Sequence, residues 1–129
     1  MTTEPNLPPK AAAAVRLDVQ ALARLHELDP DGRQGVVIRV LLAFETSLAR
    51  MLSQLQAERV TGQPAVVSSV AHTLKSSSAS VGALELARAC AEVETKLRQG
   101  DVSALQRDIS RLISEGESAQ QAVAAMLRP

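Results

Sequence analysis

His72 is surrounded in the sequence by side chains too small to cover it. The run Ala71-His72-Thr73-Leu74-Lys75-Ser76-Ser77-Ser78-Ala79-Ser80-Val81-Gly82-Ala83 carries a single imidazole among alanines, serines and one lysine. A neutral imidazole nitrogen is a good nucleophile near neutral pH, because its unperturbed pKa is about 6.5. Lys75 follows three residues later, and on a helix that spacing makes it a neighbour able to reach an anion held at the ring. A cation beside an uncovered histidine points to phosphate.

The element that positions these groups is a helix. Val67, Val70, Leu74 and Val81, with Ser78 filling the gap, recur at steps of three and four and define one apolar face. At about 100° per residue His72 falls about 160° from the centre of that stripe, so its ring is expected in solvent. On the same side lie Ser68, Ser69, Ser76, Ala79 and Ala83, expected to form a low surface on which a partner docks. Ser77 and Ser78 are nearer the core side, where their hydroxyls are expected to bond back to helix carbonyls. Gly82 is expected to end the helix in the left-handed conformation.

The pattern His72, Leu74, Lys75, Ser76, Ser77, Ser78 and Gly82 resembles the motif of the histidine-containing phosphotransfer domains of multistep two-component signalling. Ser76 stands where many members of that family carry Gly. The likeness extends to Leu28-Asp29-Pro30-Asp31-Gly32, the helix carrying Phe44, and Leu86, Cys90 and Leu97, so it spans roughly residues 28 to 127. It implies that His72 accepts a phosphoryl group on its outer nitrogen, Nε2, from the aspartyl phosphate of a receiver domain and passes it to another receiver. Lys75 would then stabilise the phosphate. The implied partners are response-regulator receivers and a hybrid sensor histidine kinase. No cofactor or resident metal is expected, since the receiver would supply magnesium and most catalytic groups; the chain is a carrier rather than an autonomous enzyme. The competing reading is a helical adaptor or dimerisation module whose small-residue face packs on another helix.

Composition fits either reading. The 129 residues suit one domain, with 46% hydrophobic residues, Phe44 the sole aromatic, and no Trp or Tyr. Ala and Leu favour packed helices over strands. Fourteen basic residues cancel fourteen acidic ones, which leaves no electrostatic footprint for nucleic acid. No apolar run approaches the roughly 20 residues of a membrane span, so a cytoplasmic location is expected. One cysteine, Cys90, sits on an apolar face and reads as an inert core thiol. His26 suits the negative end of a helix dipole and is assigned no role.

The expected architecture is all-α: an antiparallel four-helix bundle with an additional N-terminal helix. Residues 1–10, with three of the six prolines, read as a tail or linker, and residues 11–129 as the domain. The first helix is expected over about 11–27 with Val15, Val19, Leu22 and Leu25 or Leu28 inward. A second, about 34–59, carries Val37, Leu41, Phe44, Leu48, Met51, Leu52 and Leu55 as its core stripe. The histidine helix follows, then one over about 84–98 with Leu86, Cys90, Val93 and Leu97 inward. The last, about 102–127, is expected to bury Val102, Leu105, Ile109, Leu112, Ala119, Val123 and Met126, with Gly116 as a weak point. With the core filled no further seam remains, so a monomer is expected.

Overall fold

The computed structural model describes residues 16–129, and all regular structure among them is helical. The tail at 1–10 and Val15 lie outside the described residues. Five helices follow in order: α1 Val19–Glu27, α2 Val36–Thr61, α3 Pro64–Val81, α4 Leu84–Arg98 and α5 Leu105–Leu127. The helices α2 to α5 form a ring in which α3 lies on α4 and α2 on α5, with α2–α3 and α4–α5 closing it. Only Gly62 and Gln63 separate α2 from α3, and only Gly82 and Ala83 separate α3 from α4. Connections that short force antiparallel neighbours. The expected four-helix bundle with an additional N-terminal helix is the fold observed.

The core stripes of α2, α3 and α4 follow the helical period. Leu41, Phe44, Leu48, Met51, Leu52 and Leu55 of α2 are buried with Val37 packed beside them, and Val67, Val70, Leu74, Ser78 and Val81 of α3 face them with Ala71. From α4 come Leu86, Ala89, Cys90 and Val93. Burial pushes the Cys90 thiol up to about 12, so it remains protonated and inert.

Buried polar groups close the turns. The Glu58 carboxylate accepts from Thr61 Oγ1 and Gln63 N, each at 2.7 Å, and so ties the end of α2 to the start of α3. Asp29 accepts from Gln34 N and Val36 N at 3.2 Å, satisfying N–H groups at the start of α2 that have no partner within the helix. That capping turn carries the start of α2 from the expected 34 to Val36.

Other expectations are corrected at the helix ends and within α5. Residues 16–18 are not helical, because Asp18 is extended and its side chain accepts from Ala21 N at 3.0 Å, which starts α1 at Val19. The inward positions of this segment are then Leu17 and Ala21, with Leu22 and Leu25 half-buried, while Val19 and Leu28 are exposed. At the other end of the bundle Asp101 accepts from Ser103 N and Ser103 Oγ, so residues 101–103 form a turn and α5 begins at Leu105. Val102 therefore lies outside the helix and is exposed; Met126, in the final turn, is exposed as well. Gly116 is a contact rather than a weak point, since a Cβ there would lie 2.5 Å from Leu52 Cδ2.

Ser78 departs from the expectation in another way. It is fully buried and its Oγ has no hydrogen-bond partner among the described residues. A buried hydroxyl without a partner costs stability, and Ala is also the better helix former. Ser78→Ala is therefore expected to raise the unfolding free energy by about 1 kcal/mol in urea titration.

Candidate functional site

The apolar face of α3 fixes where His72 stands. Leu74 is fully buried, and His72, on the opposite side of the helix, has 69% of its side chain exposed. Ser69, Ser76 and Ala79 are exposed around it and Ser68 is half-buried. Ser77 Oγ and Ser80 Oγ bond back to carbonyls of the preceding turn, Ser80 to Ser76 O at 3.1 Å, so neither stands free. Ala83 is not part of this surface. It is 1% exposed, because α3 stops at Val81 and Gly82, at φ +85°, turns the chain inward before Ala83 is reached.

The group that the sequence reading missed is Glu94, on α4. Its side chain is only 6% exposed and gathers three partners. Oε2 lies 2.6 Å from His72 Nδ1 and 2.9 Å from Arg98 Nη2, and Oε1 accepts from Lys75 Nζ at 2.7 Å. The Lys75 ammonium foremost, then the His72 ring, hold the Glu94 carboxyl at about 2, outweighing the opposing effect of desolvation.

An ionised carboxylate only accepts hydrogen bonds, so the nitrogen 2.6 Å from it must donate. The neutral His72 ring therefore carries its proton on Nδ1, and Nε2 presents a lone pair to solvent. The arrangement can donate electrons from Nε2 without first losing a proton, and Glu94 fixes the ring against rotation. Glu94 was legible in principle: it falls between Val93 and Leu97 on the inward stripe of α4, where a carboxylate demands cationic partners.

The hydrogen bonds from Lys75 and His72 to this carboxylate make stability depend on acid. The folded state holds Glu94 near 2 against an ordinary value of 4.5, so the unfolded chain takes up the proton first. Its contribution is complete above about 4.5 and is lost as pH falls toward 2. Glu94→Gln is expected to lower stability at neutral pH and to flatten the decline across that window. Urea midpoints measured along a pH series read both effects.

Between α2 and α3, next to the small-residue face, runs a shallow apolar groove of about 360 Å³ lined by Val40, Ala43, Ser47, Ser77 and Ser80 over Phe44 and Val81. Glu45 accepts from Nη1 and Nη2 of Arg128, at 2.8 and 2.9 Å, which ties the residue after α5 to α2. Among the described residues no group of three or more His, Cys, Asp or Glu could hold a metal ion, and no helix is long and apolar enough to cross a membrane.

Residues 39–127 match the Hpt domain family, a segment that includes α3 with His72, Lys75 and the serines as well as Glu94 on α4. No curated protein matches the sequence. Among solved structures, the crystal structure of histidine-containing phosphotransfer protein B (HptB) from Pseudomonas aeruginosa PAO1 superposes with a TM-score of 0.74 at 25% identity, covering 89% of this chain and 96% of that one. With this fold and a family match across most of its length, the chain belongs to the Hpt domain family, the histidine phosphotransfer carriers that exchange phosphoryl groups with response-regulator receiver domains in phosphorelays.

Proposed function

We propose that His72 is the phosphoacceptor and that Nε2 is the atom that reacts. The observation that carries this reading is the 2.6 Å contact between Nδ1 and the ionised Glu94, which leaves Nε2 unprotonated and outward on a helix face of small residues. In the forward step the Nε2 lone pair forms the N–P bond as the P–O bond to the receiver's aspartate breaks, and that electron pair returns to the carboxylate. The ring keeps its Nδ1 proton and becomes cationic, a charge that Glu94 offsets. Discharge is the reverse, with a second receiver's carboxylate attacking phosphorus and the neutral ring leaving.

Lys75 uses one of its three N–H donors on Glu94, which leaves two for phosphoryl oxygens. The loose transition state of phosphoryl transfer needs charge neutralisation and alignment. Lys75 contributes part of this, and the receiver's acidic pocket with its divalent cation contributes the remainder. Ser68, Ser69, Ser76 and Ala79 admit the receiver to the ring, and the groove at Val40, Ala43 and Ser47 extends the docking surface onto α2. Such a complex is transient and belongs to the small class of interfaces, below about 1,200 Å². The exposed Arg39 and Arg50 of α2 tune receiver choice, whereas Glu45 is engaged by Arg128. A hybrid sensor kinase is the upstream source, and the carrier acts as a cytoplasmic monomer.

The test is incubation of the protein with phosphorylated receiver domains of the source organism. The expected result is acid-labile, base-stable label on the protein from at least one receiver, returned when a second unphosphorylated receiver is added. A folded protein that takes no label from any active receiver contradicts the proposal.

A further inference from the structure

The serines that follow His72 on α3 are not equivalent. Ser77 Oγ and Ser80 Oγ bond back to carbonyls of the preceding turn, and Ser78 is fully buried. Ser76 is exposed, and its Oγ has no hydrogen-bond partner among the described residues. It stands four residues after His72, a spacing that brings Cβ atoms to about 5–6 Å. A helical Cα–Cβ bond tilts toward the N-terminus, so the Ser76 side chain leans toward His72, whereas that of Ser69, three residues before the histidine, leans away. The two sides of the ring also differ. Around α3, Lys75 lies about 60° to one side of His72 and Ser76 about 40° to the other. Helix α4 is on the Lys75 side, because His72 Nδ1 and Lys75 Nζ both meet Glu94 there, at 2.6 and 2.7 Å. With Nδ1 drawn toward α4, Nε2 across the ring is turned outward on the Ser76 side.

Given the phosphoacceptor role of His72, on which this inference rests, we propose that Ser76 binds the phosphoryl group, its hydroxyl donating a hydrogen bond to a phosphoryl oxygen on Nε2. A serine hydroxyl has one donor and can rotate it to suit an acceptor. Back-bonding occupies that donor at Ser77 and Ser80, whereas at Ser76 it is uncommitted before the phosphate arrives. A hydrogen bond to an ionised acceptor is stronger than one between neutral groups. Lys75 reaches the phosphoryl oxygens from the α4 side and Ser76 from the other, so the group is held from both sides of the ring. The hydroxyl thereby favours the phosphoryl group on the carrier over the phosphoryl group on the receiver. This role is distinct from the small size of Ser76, which admits a receiver whether or not a hydroxyl is present.

The experiment uses the full chain phosphorylated by phosphoramidate, a small-molecule donor that requires no receiver. The midpoint of the last deprotonation of the phosphoryl group is followed by phosphorus NMR in the wild type, Ser76→Ala and Ser76→Thr. Ser76→Ala removes the hydroxyl and keeps the size, and alanine is the better helix former, so the variant folds. A donor to the ionised phosphoryl group lowers the midpoint, so Ser76→Ala is expected to raise it and Ser76→Thr, which keeps a hydroxyl, to restore it. Against a fixed receiver, the equilibrium share of phosphoryl group on Ser76→Ala is expected to fall about fivefold, the scale of one net hydrogen bond. Nitrogen NMR of the uncharged His72 ring should be unchanged in Ser76→Ala, which separates contact with the phosphate from a structural role. A wild type that accepts label while Ser76→Ala keeps the same midpoint and the same share overturns the inference alone, and so does a shift that appears in Ser69→Ala instead. A wild type that accepts no label from phosphoramidate or from any receiver overturns the phosphoacceptor reading with it.

Discussion

Replacing His72 by Gln is expected to abolish phosphoryl uptake while leaving the fold in place. The hydroxyls near the site are weak nucleophiles at their ordinary pKa, and several are also held or buried. Ser77 and Ser80 are bonded back to helix carbonyls, Ser78 is buried, and the Cys90 thiol is buried and protonated. The loss should therefore be complete rather than partial. The side chain is 69% exposed and contributes nothing to the core, so the change in stability should stay within about 1 kcal/mol. A Gln amide can still donate to Glu94, and Lys75 remains on Oε1. Label assay and urea unfolding on the same preparation decide this. Residual label on the variant, or coincident loss of label and fold, contradicts the assignment.

The second large effect belongs to Gly82. It ends α3 at φ +85°, a conformation that disfavours any L side chain by about 1 kcal/mol or more. A Cβ at this position would lie 2.5 Å from Asp18 N, 3.0 Å from Asp18 O and 3.1 Å from Asp18 Cα. These are backbone atoms and cannot rotate aside. Asp18 N also donates to Gly82 O at 2.8 Å, so this contact is the seam by which the N-terminal segment docks. Gly82→Ala is expected to cost about 3 kcal/mol, combining backbone strain with lost burial of Leu17 and Ala21 as α1 separates. Gly35 provides the control: its φ is +63° but nothing lies within 4 Å of an added Cβ, so Gly35→Ala should cost only about 1 kcal/mol. Urea titration compares the two, and amide exchange should show α1 opening in Gly82→Ala alone. Equal losses in the two variants contradict the account.

What could be read from the residues, and what could not, divides along physical lines. The α3 stripe and the placement of His72 opposite Leu74 depend only on the helical period, which holds throughout a continuous helix. Ala83 was misplaced because the same period was carried past Gly82, where the backbone no longer obeys it. The starts of α1 and α5 moved because Asp18 and Asp101 capture backbone N–H groups, a competition that periodicity does not register. Glu94 escaped notice for a different reason. A carboxylate is ordinarily assigned to solvent, and its partners Lys75 and His72 are distant in sequence, so only the packing of α3 on α4 brings them together. The chemistry of the site depends on that packing as much as on the motif.

The most direct measurement is long-range proton–nitrogen NMR of the His72 ring before and after phosphorylation. The account predicts a neutral ring protonated at Nδ1 in the uncharged protein, and phosphorus coupled to Nε2 in the charged one. A ring protonated at Nε2, or phosphorus bonded to Nδ1, would contradict the claim that Glu94 directs the outer nitrogen of His72 toward its partner.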